Sequence, residues 1–173
     1  ISVRKSLPGH PFHHFMAKNK TNPNERTIEN RRARHDYAIG TTLEVGIKLA
    51  GSEVKSVRAG NVSLAEGYVR AEEVPPRLIL YSVNIGEYGP AGPRQHVPAR
   101  ARTLLANTRE IIRLARETEK KGTTIVPLKI YFRNGFAKLL VGVGTGKTQS
   151  DKRRSIADRE VQRDLQRVMS KRV

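Results

Sequence analysis

Residues 125–143 read IVPLKIYFRNGFAKLLVGV, and the fold is decided here. Asn134-Gly135 is the dipeptide that tolerates the two positive φ angles of a type I′ turn. Residues 125–133 and 136–143 are therefore expected as the arms of a β-hairpin. Pro127 has no N–H to give a ladder, so its strand must lie at an edge or carry a bulge.

Working outward, the same alternation recurs upstream. Leu43, Val45, Ile47 and Leu49 alternate with Glu44, Gly46 and Lys48, the period of a half-buried strand. Residues 68–72 and 78–83 read as two further strands joined by a turn at Pro75-Pro76. Ser52 is expected to cap a short helix carrying Glu53 in its first turn, with Val54 and Val57 inward and Gly60 ending it. Residues 86–98 hold three Gly and three Pro and read as a loop. After Pro98 a helix is expected, with Leu104, Leu105, Thr108, Ile111, Ile112 and Ala115 on one face and Gly122 as its stop. Five or six short antiparallel strands, two or three flanking helices and one core make the chain mainly β: a small antiparallel barrel of the oligonucleotide-binding (OB-like) kind. No internal repeat is visible.

Composition points to the partner. The chain has 33 Lys and Arg against 16 Asp and Glu, a formal charge of +17 over 173 residues. Such an excess attracts nucleic acid through phosphate neutralisation and counterion release. An anionic membrane surface would attract it too, but no run approaches the roughly 20 apolar residues of a spanning helix. With no cysteine, disulfides, thiolate metal sites and a thiol nucleophile are excluded. His10, His13, His14, His35 and His96 show no metal-ligand spacing, so neither metal nor cofactor is expected.

The ends differ from the middle. Residues 1–29 read as a flexible, polar and basic arm, 30–146 as the barrel, and 147–173 as a basic tail. Met16 opens a polar segment like an ordinary cytosolic start, so residues 1–15 read as an upstream extension outside the native protein. They lack the apolar stretch of a secretory signal, while their basic, acid-free composition keeps an organelle transit peptide as the alternative. A cytoplasmic location is expected. The tail carries nine Lys and Arg against four Asp and Glu. Arg159, Arg163 and Arg167 recur every four residues opposite a thin stripe of Val161, Leu165 and Val168. That pattern is a helix with too little apolar area to dock alone, disordered when free or ordered conditionally on a partner.

Two motifs bear on chemistry. Residues 144–148, GTGKT, look like the end of a phosphate-binding loop, but the glycine opening the pattern would fall at Val141 and no βαβ unit surrounds it. Nucleotide hydrolysis is disfavoured, and the glycines are expected to release the tail from the barrel. Residues 30–37, NRRARHDY, interleave three guanidiniums with His35 and Tyr37. Guanidiniums pair bidentately with phosphate, and the rings can stack on unpaired bases.

Four segments together, NRRARHDY (30–37), GSEVKSVRAG (51–60), IVPLKIYFRNG (125–135) and GTGKTQSDKR (144–153), resemble the small protein B family. Its members partner transfer-messenger RNA (tmRNA) in bacterial ribosome rescue. The resemblance runs from about residue 28 to the end and implies an OB-like barrel that grips the tRNA-like part of tmRNA. By position it places Asn30, Arg31, Arg34, His35, Tyr37, Glu44, Lys55 and Arg58 at the RNA, and Arg32 and Lys147 are expected there as well. It implies a tail that enters the small-subunit decoding region and mRNA path of a stalled ribosome, carrying Asp151, Lys152, Arg153, Arg154, Arg159, Arg163 and Arg167. Thr148 stands where members usually have a second Lys, and Ser150 where His or Tyr is common, so no ring stacks from that position. Val161 replaces an aromatic of some members. The expected function is a non-enzymatic adaptor with no catalytic residues and no small-molecule substrate. The alternative is a basic ribosome-associated or assembly protein on ribosomal RNA.

Overall fold

The Asn134-Gly135 turn forms with φ values of 53° and 80°, and the sheet is assembled on its two arms. In this computed structural model the described residues are 26–151, 153, 160, 161, 163, 166, 167 and 169. The arms are β8 (Thr123–Arg133) and β9 (Phe136–Gly146), eleven residues each and longer than the expected strands. β9 pairs on its other side with β2 (Tyr37–Ile47). From β2 the ladder runs through β7 (Arg102–Leu105), β5 (Arg77–Tyr81) and β4 (Tyr68–Glu72), then back to β8. Every pairing is antiparallel, and the circuit β8-β4-β5-β7-β2-β9 closes on itself. Closure removes the exposed edges that an open sheet of this kind would present.

Pro127 marks the irregularity that its missing N–H demands. The register of β8 against β9 shifts between Pro127 and Lys129, so Leu128 is extra. On one side of β8, Ile125, Ile130 and Phe132 join Val45, Leu80, Leu139 and Val141 in the barrel core. On the other, Val126 and Leu128 bury against Ala33, with Tyr37, Ile39 and Leu140 packed alongside. The outer edge of β8 is shared. β4 pairs at Ile125, and the two-residue β1 (Ile28–Glu29) pairs at Ile130 and Lys129.

Two expectations are corrected. Residues 28 and 29, placed in the flexible arm, belong to the sheet. Arg102–Leu105 is a strand and not the start of a helix, because β5 and β2 hydrogen-bond it on both sides. The helix that follows, α3 (Thr108–Thr118), begins only after Asn107, whose N–H donates to Glu110 at 2.9 Å, and buries Ile111, Leu114 and Ala115. Residues 31–36, for which the sequence suggested no regular element, form a helix, α1.

Helix α2 (Gly51–Ala59) ends at Gly60, φ 85°, as its sequence implies, and buries Val57 completely. Its cap differs from expectation. Ala50 occupies the N-cap and its N–H donates to the Glu53 carboxylate at 2.6 Å, while the Ser52 hydroxyl contacts His96 Nδ1 at 2.9 Å. Glu53 lies in the interior, held by Arg100 and by the fully buried Arg102, whose guanidinium also donates to the carbonyls of Val83, Pro98 and Arg100. Burial pushes the Glu53 carboxyl up. Hydrogen bonds from Arg100, Ala50 and Arg102, with the Arg102 charge, outweigh that and hold it below the ordinary range. Short strands β3 (Val62–Ser63) and β6 (Asn84–Ile85) pair apart from the barrel.

Candidate nucleic-acid interface

Asn30 builds the first part of the site without lying on its surface. It is 5% exposed. Its Oδ1 accepts from the Ala33 N–H at 3.0 Å and caps α1. Its amide donates to Leu64 O at 2.8 Å and Pro127 O at 3.0 Å, and its own N–H donates to Leu128 O. These bonds occupy the gap between β4 and β1 on β8, so Asn30 positions the helix from beneath.

With Ala33 buried, α1 turns Arg31, Arg32 and Arg34 outward. Arg32 is held by Asp36 and Glu66, and His35 Nδ1 lies 3.0 Å from Asp36. Tyr37, half-buried, opens β2 directly afterwards. A cleft of about 330 Å³ runs beside the helix, lined among others by Arg32, Asp36, Tyr37, Glu66 and Tyr68. Tyr68 is 45% exposed and stacks on Tyr81 at 5.4 Å, an aromatic platform that the sequence reading missed.

Lys147 belongs to the same place. Tyr37 and Gly146 are paired residues of β2 and β9, so the tail leaves the barrel beside the end of α1. Lys147 Nζ donates to Arg34 O at 3.1 Å, and its N–H donates to Asp36 O at 2.9 Å. An ammonium on the last carbonyls of a helix is electrostatically favourable. The GTGKT glycines neither wrap a phosphate nor loosen the chain, because Gly144 and Gly146 are in β9. A Cβ on Gly144 would lie 2.9 Å from Tyr37 Cβ, and one on Gly142 would lie 2.8 Å from Ile39 Cγ2. These glycines admit β2 side chains.

The second part lies further along β2. Glu44 is exposed and accepts from the Tyr131 hydroxyl and, at 3.4 Å, from Arg133. Lys129 sits over the Tyr131 ring at 5.1 Å. Tyr131, Arg133 and Lys129 were not singled out from sequence. The bulge between Pro127 and Lys129 breaks the alternation read from 125 onward, so the face shared by 129, 131 and 133 did not stand out in the sequence. Lys55 and Arg58 are exposed on α2, where Lys55 lies 5.0 Å from the Tyr88 ring and Arg58 lies 5.1 Å from that of Phe132. α1 with Lys147, and Glu44 with its β8 partners, are thus two groups strung along β2. Lys55 and Arg58 form a third on α2.

In the tail, residues 149–151, 153, 160, 161, 163, 166, 167 and 169 are helical. Arg153, Arg163 and Arg167 are exposed, while Lys152, Arg154 and Arg159 lie outside the described residues, as do 1–25. Among the described residues no group of three or more His, Asp or Glu side chains is placed to hold a metal. No described helix is long and apolar enough to cross a membrane.

A closed OB-like barrel whose surface gathers guanidiniums, ammoniums and open rings defines a basic RNA-binding protein. A family model described as SmpB protein matches residues 27–171, and the chain belongs to the SmpB family. It is 45% identical to the SsrA-binding protein of Lactobacillus acidophilus over 80% of this chain and 91% of that one. It is 47% identical to the SsrA-binding protein of a Roseiflexus species over 86% and 94%. A solved chain described as "tmRNA-SmpB: a journey to the center of the bacterial ribosome" is 43% identical, with a TM-score of 0.61 over 75% of this chain and 94% of that one.

Proposed function

We propose that this protein binds the tRNA-like part of tmRNA, delivers it to stalled ribosomes, and occupies the decoding region and mRNA path with its C-terminal tail. The observation that carries the reading is the joining of α1 to the tail root. The helix presenting Arg31, Arg32 and Arg34 ends where Lys147 leads the chain off the barrel. One molecule can then hold RNA with its body and extend a basic helix away from it. SmpB membership, and the likeness to a solved chain whose description names tmRNA, SmpB and the ribosome, support this choice over a ribosome-assembly protein. The chemistry is recognition without catalysis, since the glycines that a phosphate-binding loop would need, Gly144 and Gly146, are engaged in the β9 ladder. Its place of action is the cytoplasm, where ribosomes stall. Sequencing the RNA that co-purifies with the protein tests the reading. One dominant tmRNA species is expected, whereas bulk ribosomal RNA would replace rescue with assembly.

A further inference from the structure

We infer that Lys147, Thr148 and Asp151 form a joint that sets where the tail helix begins and fixes that start to the end of α1. The inference rests on the tmRNA-delivery reading and deepens it by assigning positioning residues. A helix start leaves N–H groups without intrahelical partners. Here Thr148 precedes the first helical residue, 149, and Asp151 follows three positions later. The pair is reciprocal. Asp151 N–H donates to Thr148 Oγ1 at 3.3 Å, Thr148 N–H donates to Asp151 Oδ2 at 3.2 Å, and the Thr148 hydroxyl donates to the same Oδ2 at 2.6 Å. This is the logic of a capping box with the shorter acid at its third position.

The start is anchored as well as capped. The residue just before Thr148 is Lys147, whose N–H and ammonium both bond to carbonyls of the last turn of α1. Behind it, the Gly146 N–H donates to Gly122 O at 3.4 Å, beyond the end of α3. Two residues after Lys147 the tail turns helical. A basic tail on a loose linker would search the ribosome in all directions, whereas one whose first turn is pinned to the RNA-gripping helix starts from a defined place and heading. Fixing that geometry beforehand lowers the ordering entropy lost on docking. Lysine at position 148 would carry charge but no capping oxygen.

The test uses the full chain, with Thr148→Ala removing the cap and Thr148→Ser keeping it. Amide exchange at residues 149–151 should speed up about fivefold in Thr148→Ala, the factor an N-cap of ordinary strength contributes. Peptidyl transfer on reconstituted stalled ribosomes with limiting protein should fall by a similar factor. tmRNA affinity and thermal unfolding should stay as in the wild type, and Thr148→Ser should be normal in every readout. Wild-type transfer by Thr148→Ala, or equal loss in Thr148→Ala and Thr148→Ser, overturns the joint. If the wild type does not bind tmRNA at all, the functional reading fails instead. The exchange comparison still decides the joint in that case.

Discussion

Tyr131 and Glu44, 87 residues apart in sequence, meet on the outer face of the barrel, where the tyrosine hydroxyl donates to the carboxylate. Burial first, then the hydrogen bond to Glu44 and its charge, push the phenol up to about 12, with Arg133 opposing. The contact ties the middle of β2 to β8 and holds a carboxylate beside the Arg133 and Lys129 cations.

Tyr131 should therefore ionise late, near 12. Near-ultraviolet absorbance of the wild type should show one phenol ionising near 12, and Tyr131→Phe should remove that component. Glu44→Gln should lower the value only part-way to the ordinary one, since burial, the largest single cause, remains. A raised folded value adds stability that is complete below the ordinary tyrosine value of about 10 and is lost as pH rises through about 12. Urea unfolding of wild type and Tyr131→Phe should accordingly converge across that window.

Glu53 makes the opposite case. Its side chain and that of Arg102 are fully buried and 2.9 Å apart. Glu53→Gln keeps the shape and leaves the Arg102 charge without its counter-charge, so denaturant unfolding should show a loss of about 3–5 kcal/mol at neutral pH. The folded carboxyl value is lowered, so the pair's contribution is present above the ordinary glutamate range and lost as pH falls through the lower folded value. The gap between wild type and variant should narrow in acid over that range. A constant gap would mean that packing, not charge, explains the loss.

The two pairs also show which parts of the fold were legible in sequence. The hairpin was, because Asn134 and Gly135 carry their own backbone requirement. So was Tyr68–Glu72, whose alternation is local. Glu53 reads as an ordinary first-turn acid because Arg100 and Arg102, 47 and 49 residues on, reveal its burial only in three dimensions. Leu104 and Leu105 fall in helical phase with Ile111 and Ile112, and only closure of the barrel gives them strand partners. Helix α1 is six residues long and depends on Asn30, whose amide is fixed by Pro127, 97 positions away. At the site, the basic residues were recognisable by type. The β8 cluster of Tyr131, Arg133 and Lys129 was hidden by the one-residue bulge, and Asn30 could not be recognised as a support beneath the surface.

Arg31 and Arg34 are exposed whereas Asn30 is buried, so their substitutions should separate cleanly. Against tmRNA, Arg31→Ala or Arg34→Ala should flatten the log–log salt dependence by roughly 0.7–0.9 each, the loss of one phosphate contact. Asn30→Ala removes a cap and strands buried carbonyls, and should cost about 2 kcal/mol of folding stability. Its salt slope, measured under folded conditions, should match the wild type. An unchanged slope in both arginine variants would remove α1 from the interface.

The last prediction separates the barrel from the tail. Core residues such as Val57, Leu80, Ile125 and Leu139 are completely buried, and the strand circuit is complete at Gly146. In the tail, Val161 and Met169 are 59% and 72% exposed, so these apolar side chains stay mostly in solvent. Truncation after Gly146 should leave unfolding nearly unchanged and tmRNA affinity within a few-fold, since of the proposed RNA-facing residues only Lys147 is lost. Peptidyl transfer to tmRNA on a stalled ribosome should be abolished. Charge reversal at Arg159, Arg163 and Arg167 should give the same split, because an acidic stripe repels ribosomal RNA. Ser150→Ala should be mild, as its hydroxyl contacts only Thr148 among described side chains and offers no ring to stack, while loss of Lys152 or Arg153 should be severe. Running the transfer and RNA-binding assays side by side decides the matter. Normal transfer by the truncated protein, or RNA binding lost as badly as transfer, would mean that grip and delivery are not divided between barrel and tail.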